Sequence, residues 1–89
     1  KGTIENAYTI SNGEYEVIEA EIIESSELIN KELKNSNLPE ELRIGAILRE
    51  NKVIIPRSNF IFKKDDRVVF IVKKDSISIV ESIFRLSSI

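Results

Sequence analysis

The chain lacks cysteine, histidine, methionine and tryptophan, and it has only three glycines and two prolines among 89 residues. The absence of cysteine excludes disulfides, thiolate nucleophiles and thiolate metal sites. The absence of histidine removes the commonest transition-metal ligand and the usual general base at neutral pH. Neither GxGxxG nor GxxxxGKS/T, the glycine-rich turns that hold nucleotide phosphates, occurs in the sequence. We therefore predict a domain that is not an enzyme, binds no metal and has no cofactor of its own.

Charge and hydropathy argue against two further classes of protein. The formal net charge of −2 argues against nucleic-acid binding, which needs clustered positive charge. No apolar run reaches the ~20 residues of a membrane-spanning helix. The first residues contain no apolar segment typical of a signal peptide. The chain begins at Lys1 rather than at methionine, which suggests a piece of a longer protein.

The overall composition is typical of one small globular domain, with 42% hydrophobic and 31% charged residues. The apolar residues are mostly isoleucine, valine and leucine, which favours β-structure. A domain of this size has a marginal core. We therefore expect additional burial against a second copy of the chain or a neighbouring domain.

Hydrophobic periodicity predicts an α+β fold with the element order βαβββα. The run Val68–Val72 has no polar break, which is typical of a strand that is central in its sheet or covered on both faces. Strands are predicted over 15–23, 42–49, 53–55 and 67–73. Helices are predicted from the serines at 25–26 to Asn35 and from Ser76 to Arg85. The predicted sheet is small, mixed or mainly antiparallel, and covered by both helices.

Two details of this prediction depend on weaker signals. Residues 1–13 have no sustained period, so they are predicted to be a linker or to include a short strand around Tyr8–Ile10, with the folded domain over 14–89. Strict alternation in the strand 42–49 places Ile44, Ala46 and Leu48 on one face.

The last predicted helix has a wider apolar sector than a helix lying on one sheet requires. Ile79, Ile83 and Phe84 lie on adjoining stripes of it. One interpretation is that this helix forms a dimer interface through these three residues. The other is that a small domain buries the helix deeply in its own core.

Charged residues offer one candidate contact for an anion. Arg49 ends an otherwise apolar strand, where a guanidinium can be aimed at a phosphate or nucleotide. The alternative is that Arg49 and the neighbouring basic residues are solvated charge at turns and strand ends. The paired carboxylates, such as Glu19 and Glu21, have no catalytic partner and are interpreted as solvated.

Several short motifs follow one another between about Gly13 and Phe84. They are Glu16-Val17-Ile18-Glu19-Ala20, Leu38-Pro39, Ile44-Gly45-Ala46-Ile47-Leu48-Arg49, Asp66-x-Val68-Val69 and Val80-Glu81-x-Ile83-Phe84. In their order and spacing these motifs resemble the C-terminal regulatory domain of the Trk potassium-uptake regulators, the TrkA family.

The resemblance implies a regulatory and assembly domain of a cytoplasmic subunit that lies against the inner face of the plasma membrane and controls a membrane potassium transporter. Residues 1–13 would then connect it to an upstream nucleotide-binding domain, where NAD(H) or ATP is expected. The alternative is a nucleotide-sensing module that binds a cyclic dinucleotide or a similar anion at a dimer interface. In some relatives such a site uses apolar residues at the end of the first strand, which here are nearest Ile22 and Ile23, with Arg49 as the candidate cation.

Two positions depart from the family pattern. Asn30 and Asp65 stand where the family usually has glycine. Asparagine and aspartate are the non-glycine residues that best tolerate a left-handed backbone. The two replacements are therefore consistent with an unchanged turn at each position.

Overall fold

The computed structural model describes residues 4–84, with Glu5 and Asn6 described by their backbone alone. This range contains five strands, which are β1 (Ile4–Ile10), β2 (Tyr15–Glu21), β3 (Leu42–Arg49), β4 (Lys52–Ile54) and β5 (Arg67–Lys73). It also contains one α-helix, α1 (Ile77–Phe84), and three short 3-10 turns over Ser11–Gly13, Leu33–Asn35 and Lys74–Ser76.

The five strands form one sheet in the order β1-β2-β5-β3-β4, and all neighbouring pairs are antiparallel. The predicted α+β class and mainly antiparallel sheet are therefore confirmed. Strand β5 lies in the centre, as its unbroken apolar run predicts, because both of its edges pair with other strands.

The first predicted helix is wrong. The segment 26–35 forms turns and a single 3-10 turn over Leu33–Asn35, so α1 is the only α-helix in the described range. The backbone of this segment bonds to a distant part of the chain: the Asn30 nitrogen donates to the Phe62 carbonyl at 2.9 Å, and the Phe62 nitrogen donates to Lys31 at 3.1 Å. Asn30 also has a left-handed backbone (φ 63°), which interrupts a right-handed helix.

The backbone is left-handed at both positions where the family pattern has glycine. The φ angle is 63° at Asn30 and 72° at Asp65. The serine predicted to cap the lost helix still has a local role, because the Ser26 hydroxyl accepts a hydrogen bond from the Leu28 nitrogen at 3.2 Å. The same hydroxyl donates to the Ile83 carbonyl at 3.1 Å, which ties this segment to the end of α1.

The N-terminal segment forms a longer strand than the sequence indicates. Strand β1 covers Ile4–Ile10 and pairs with β2 through a hairpin, whereas the sequence predicts a linker or a strand around Tyr8–Ile10. The assignment of 1–13 to a linker and 14–89 to a separate domain stays a prediction.

A bulge in β3 changes which of its residues face the core. The pairing with β5 shifts between Ile44, which lies opposite Phe70, and Ala46, which lies opposite Val69. Ile44 and Ala46 are therefore on opposite faces, and the prediction that Ile44, Ala46 and Leu48 share a face is wrong. The shift brings Ile47 into the core, where it is fully buried.

The core lies on one face of the sheet, under α1 and the irregular segments that follow β2 and β4. Phe70 of the central strand stacks on Phe84 of α1 with ring centroids 5.1 Å apart. The buried apolar residues are Ile18, Ala20, Ile22, Leu28, Leu42, Ile47, Phe62, Val68, Phe70, Val72, Val80, Ile83 and Phe84.

Candidate functional site

The face of the sheet opposite the core carries an apolar surface that the fold leaves without a covering layer in residues 4–84. Because side chains alternate along a strand, the residues between the core positions of β2 and β5 point to this face. Val17 of β2 pairs with Ile71 of β5, and Val69 of β5 pairs with Ala46 of β3. These four residues, which we call the open-face centre, are only partly exposed because they shield one another.

A shallow hollow of about 170 Å³ lies within this face. Its lining is almost entirely apolar and consists of Val17, Arg43, Ile44, Gly45, Val69, Phe70 and Ile71. Gly45 occupies the bulge of β3, and a Cβ atom added there would lie 3.7 Å from the Val69 carbonyl oxygen, an ordinary contact. Packing within the chain therefore does not require glycine at this position, and the missing side chain keeps the hollow open.

Polar and aromatic residues surround the open-face centre. The Arg67 Nη1 atom lies 3.2 Å from Glu19 Oε2, and Arg43 lies opposite Ile71 in the sheet register. Tyr8 lies on the edge strand β1, where it pairs with Val17 of β2, and it is 66% exposed. An apolar centre with a polar rim is the usual arrangement of a protein–protein interface.

Arg49, the candidate cation for an anionic ligand, forms an internal ion pair. Its Nε donates to Asp66 Oδ1 at 2.7 Å and its Nη2 donates to Asp66 Oδ2 at 2.6 Å. Nη2 also donates to the Ile61 carbonyl at 2.9 Å, and the guanidinium lies 4.8 Å from the centre of the Phe60 ring. The hydrogen bonds with Asp66 raise the pKa of Arg49 against the opposing effect of desolvation. The guanidinium is therefore charged at every working pH and held by its own chain.

Asp66 is 1% exposed and also accepts a hydrogen bond from the Lys63 nitrogen at 2.9 Å. A cleft of about 390 Å³ adjoins this ion pair. Its lining residues are Arg49, Glu50, Lys63, Lys64, Asp65 and Asp66, three of each sign. Two of the three cations have an ion-pair partner: Arg49 pairs with Asp66, and the Lys64 Nζ atom lies 3.7 Å from Asp65 Oδ2. The cleft thus has no excess of positive charge for an anion, and ligand binding by Arg49 stays a prediction.

The other predicted site residues, Ile22 and Ile23, are not among the residues that line this cleft. Ile22 follows β2 and is fully buried, while its backbone is held by Asp65 and Asp66 through two hydrogen bonds of 2.8 Å. Ile23 is half-buried. Of these two residues, only Ile23 can contact a ligand without a rearrangement of the core. The ligand contact predicted for the pair stays a prediction.

The three predicted interface residues of the last helix separate into two groups. Phe84 is fully buried and Ile83 is 9% exposed, so both belong to the core of the single chain. Ile79 is 53% exposed and remains available for a partner. The burial of the first two favours the deeply packed helix, which is the second of the two interpretations of the apolar sector.

Sequence patterns did not single out the open-face centre. The available signal was the run Val68–Val72, which alternates between the core and the second face. Such a run indicates that both faces are apolar, but it does not say whether the second face is covered by the same chain.

Within residues 4–84 no group of three or more carboxylates is placed to hold a metal ion. In the same range no helix is long and apolar enough to cross a membrane.

The fold and this face define a small α+β domain with one packed and one open side. The family model described as the TrkA-C domain matches residues 17–85, and the chain belongs to this family. A Trk system potassium uptake protein TrkA of Azorhizobium caulinodans is 36% identical over 87 residues, which cover 98% of this chain and 19% of the relative. The resemblance seen in the sequence motifs is thus confirmed, and membership fits a regulatory domain.

Other relatives give the same picture. A TrkA homolog of Archaeoglobus fulgidus is 38% identical over 64 residues, covering 72% of this chain and 15% of the relative. The Trk system potassium uptake protein TrkA of Haemophilus influenzae is 30% identical over 92 residues, covering 99% of this chain and 20% of the relative. The chain therefore spans about a fifth or less of the length of these relatives.

Proposed function

We propose that this chain is a non-enzymatic regulatory and assembly domain of a potassium-uptake regulator, and that it pairs with a second copy through the open face of its sheet. The observation that supports this proposal is the open-face centre of Val17, Ala46, Val69 and Ile71, an apolar surface on three neighbouring strands. A sheet of this kind is stabilised when a second layer removes its apolar face from water.

The size of the face is suitable for such pairing. Strands about 4.8 Å apart and about seven residues long give a five-stranded face on the order of 500 Å². A typical stable interface buries about 800 Å² on each partner. The face supplies more than half of this area before rim side chains such as Tyr8 and Arg43 are counted. We therefore expect a dimer in which each copy contributes the same surface.

In the full-length protein this domain would act on other parts of the system. Nucleotide-binding domains upstream would carry NAD(H) or ATP, and the regulator would bind a membrane potassium transporter from the cytoplasm, at the inner face of the plasma membrane. An interface that has two alternative packings can couple the ligand state of the upstream domains to the transporter. The names of the relatives, which refer to potassium uptake, support this part of the proposal.

The oligomeric state of the isolated chain tests the proposal. Sedimentation velocity over a range of protein concentrations should show a dimer for the wild type. Val69→Asp and Ile71→Asp should each give a monomer, because a buried unpaired charge would face the partner. Since both residues are half-buried in the single chain, circular dichroism must first show that each variant is folded.

Gly45→Val provides a milder perturbation, because a Cβ atom is tolerated at this position while the added side chain enters the hollow. Ile79→Asp is the matched control, since Ile79 is an exposed apolar residue away from the sheet. Dissociation by Ile79→Asp, with Val69→Asp and Gly45→Val still dimeric, would move the interface to α1. A wild type that stays monomeric at high concentration would refute pairing by this chain alone.

A further inference from the structure

The hairpin between β1 and β2 contains the sequence Asn12-Gly13 in an exposed turn. We propose that this pair is a site of spontaneous modification, at which Asn12 converts to aspartate and isoaspartate in the folded protein. The proposal is independent of the proposed function, because it depends on the chemistry of this turn and not on the open face of the sheet.

The reaction uses groups that two consecutive residues supply. The backbone nitrogen of Gly13 loses its proton and attacks the side-chain Cγ of Asn12, the Cγ–Nδ2 bond breaks, and ammonia leaves. The resulting five-membered imide is opened by water at either carbonyl. One opening gives aspartate, and the other gives isoaspartate, in which the main chain runs through the former side chain. One water is consumed and one ammonia is released, with no oxidation or reduction.

Local structure favours this reaction at Gly13. Gly13 has no Cβ to hinder the approach of its nitrogen, and nothing lies within 4 Å of the position that a Cβ would occupy. Asn12 is exposed, so water reaches its side chain. Ser11 and Asn12 have left-handed backbone, with φ angles of 54° and 58°, and Gly13 follows at 87°. At the Asn12 angles of φ 58° and ψ 31° the Gly13 nitrogen points away from the Asn12 Cγ, so the reaction takes place when this exposed turn opens.

The modification would change the charge at one end of the sheet. Asn12, Gly13 and Glu14 line an open hollow of about 450 Å³ together with Lys73, Lys74 and Asp75, and conversion adds a third carboxylate to this group. The Lys74 nitrogen donates to the Glu14 carbonyl at 2.9 Å, which joins the hairpin to the segment before α1. Aspartate can keep the turn because it tolerates left-handed backbone. Isoaspartate adds a backbone atom and should weaken the hairpin.

The second hairpin of the chain offers an internal control. Asn51 lies between β3 and β4, is exposed, and follows a left-handed residue, with φ angles of 50° at Glu50 and 66° at Asn51. It is followed by Lys52 instead of glycine. The two asparagines therefore share exposure and backbone conformation, and they differ in the residue that supplies the attacking nitrogen.

The experiment is incubation of the purified chain at neutral and mildly alkaline pH in water labelled with heavy oxygen, followed by peptide mass spectrometry. Asn12 should take up one labelled oxygen, faster at the higher pH, while Asn51 remains asparagine. Asn12→Gln should abolish the change, and Asn12→Asp should reproduce the charge while keeping the wild-type melting temperature. An Asn12 that stays intact in the folded chain but converts in the urea-unfolded chain would overturn the proposal. Equal conversion of Asn51 would also overturn it, because glycine would then have no special role.

Discussion

Replacement of Arg49 by alanine should destabilise this domain strongly, because it leaves the carboxylate of Asp66 buried without its main partner. Asp66 is 1% exposed, and its carboxylate accepts two hydrogen bonds from Arg49 and one from the Lys63 backbone nitrogen. The substitution removes the two from Arg49 and leaves the one from Lys63. Breaking a buried ion pair by removal of one partner typically costs about 3–5 kcal/mol. The Arg49 side chain is 30% exposed, so we place the expected cost near the lower limit, at about 3 kcal/mol.

That loss is large for a chain of this size. Domain stabilities of roughly 0.05–0.15 kcal/mol per residue predict a total of about 4–13 kcal/mol here. With a urea m-value of about 1 kcal/mol per molar, the unfolding midpoint should fall by about 3 M. Arg49→Lys should lose about half as much, because lysine keeps the charge but replaces the two-point hydrogen bond and the contact with Phe60 by a single donor.

Urea unfolding followed by circular dichroism measures these differences. Lys64→Ala is the matched control, since Lys64 and Asp65 form an exposed pair in the same cleft and the change should stay within about 0.5 kcal/mol. A double-mutant cycle with Asp66→Asn should give a coupling energy of about 1–3 kcal/mol. A cost for Arg49→Ala no greater than for Lys64→Ala would refute the structural role. Loss of cyclic di-AMP binding by Arg49→Ala at unchanged stability would instead support the nucleotide-sensing alternative.

Three further outcomes are expected. Phe84→Ala should destabilise the chain by about 3–5 kcal/mol in urea titration, because it leaves a cavity beside Phe70, whereas a residue used only for dimerisation would change association without this loss. Asn30→Gly should be tolerated, while Asn30→Val should cost about 1–2 kcal/mol or more at a φ of 63°, and equal stability of the two variants would contradict this. Calorimetry should detect no micromolar binding of NAD or ATP to this chain, because it contains no glycine-rich phosphate-binding turn, and measurable heat with either nucleotide would overturn that prediction.

The sequence was most informative where the periodicity of a strand is regular. Strands β3 and β5 begin and end at the predicted residues, and β2 ends two residues early, at Glu21. Helix α1 covers Ile77–Phe84 against a predicted 76–85, of which residue 85 lies outside the described residues. In β2 and α1 the apolar pattern and the burial of side chains have the same period, and in β5 the unbroken apolar run was enough to mark the strand. Strand β3 has the predicted ends, although its bulge breaks the alternation.

The sequence failed where distant contacts decide the conformation. The segment 26–35 has an N-cap serine and apolar spacing that favour a helix, but its backbone bonds to residues 58–62 instead. A local pattern does not contain that partner, and tertiary hydrogen bonds overrode helix propensity. The bulge at Gly45 was missed for a similar reason, because a bulge is defined by the partner strand, here β5. The pairing of Arg49 with Asp66 likewise joins residues 17 positions apart.

The motifs that carry the family resemblance have structural roles in this fold. Arg49 closes the motif that begins at Ile44, and it pairs with Asp66, which opens another motif. Phe84 closes the last motif and packs on the central strand. Gly45 departs from this pattern, because the chain itself tolerates a Cβ there. Gly45 borders the apolar hollow on the open face. A close approach of a second copy of the chain therefore explains the glycine better than packing within the chain does. Gly45 is therefore the residue whose substitution should best separate folding from assembly.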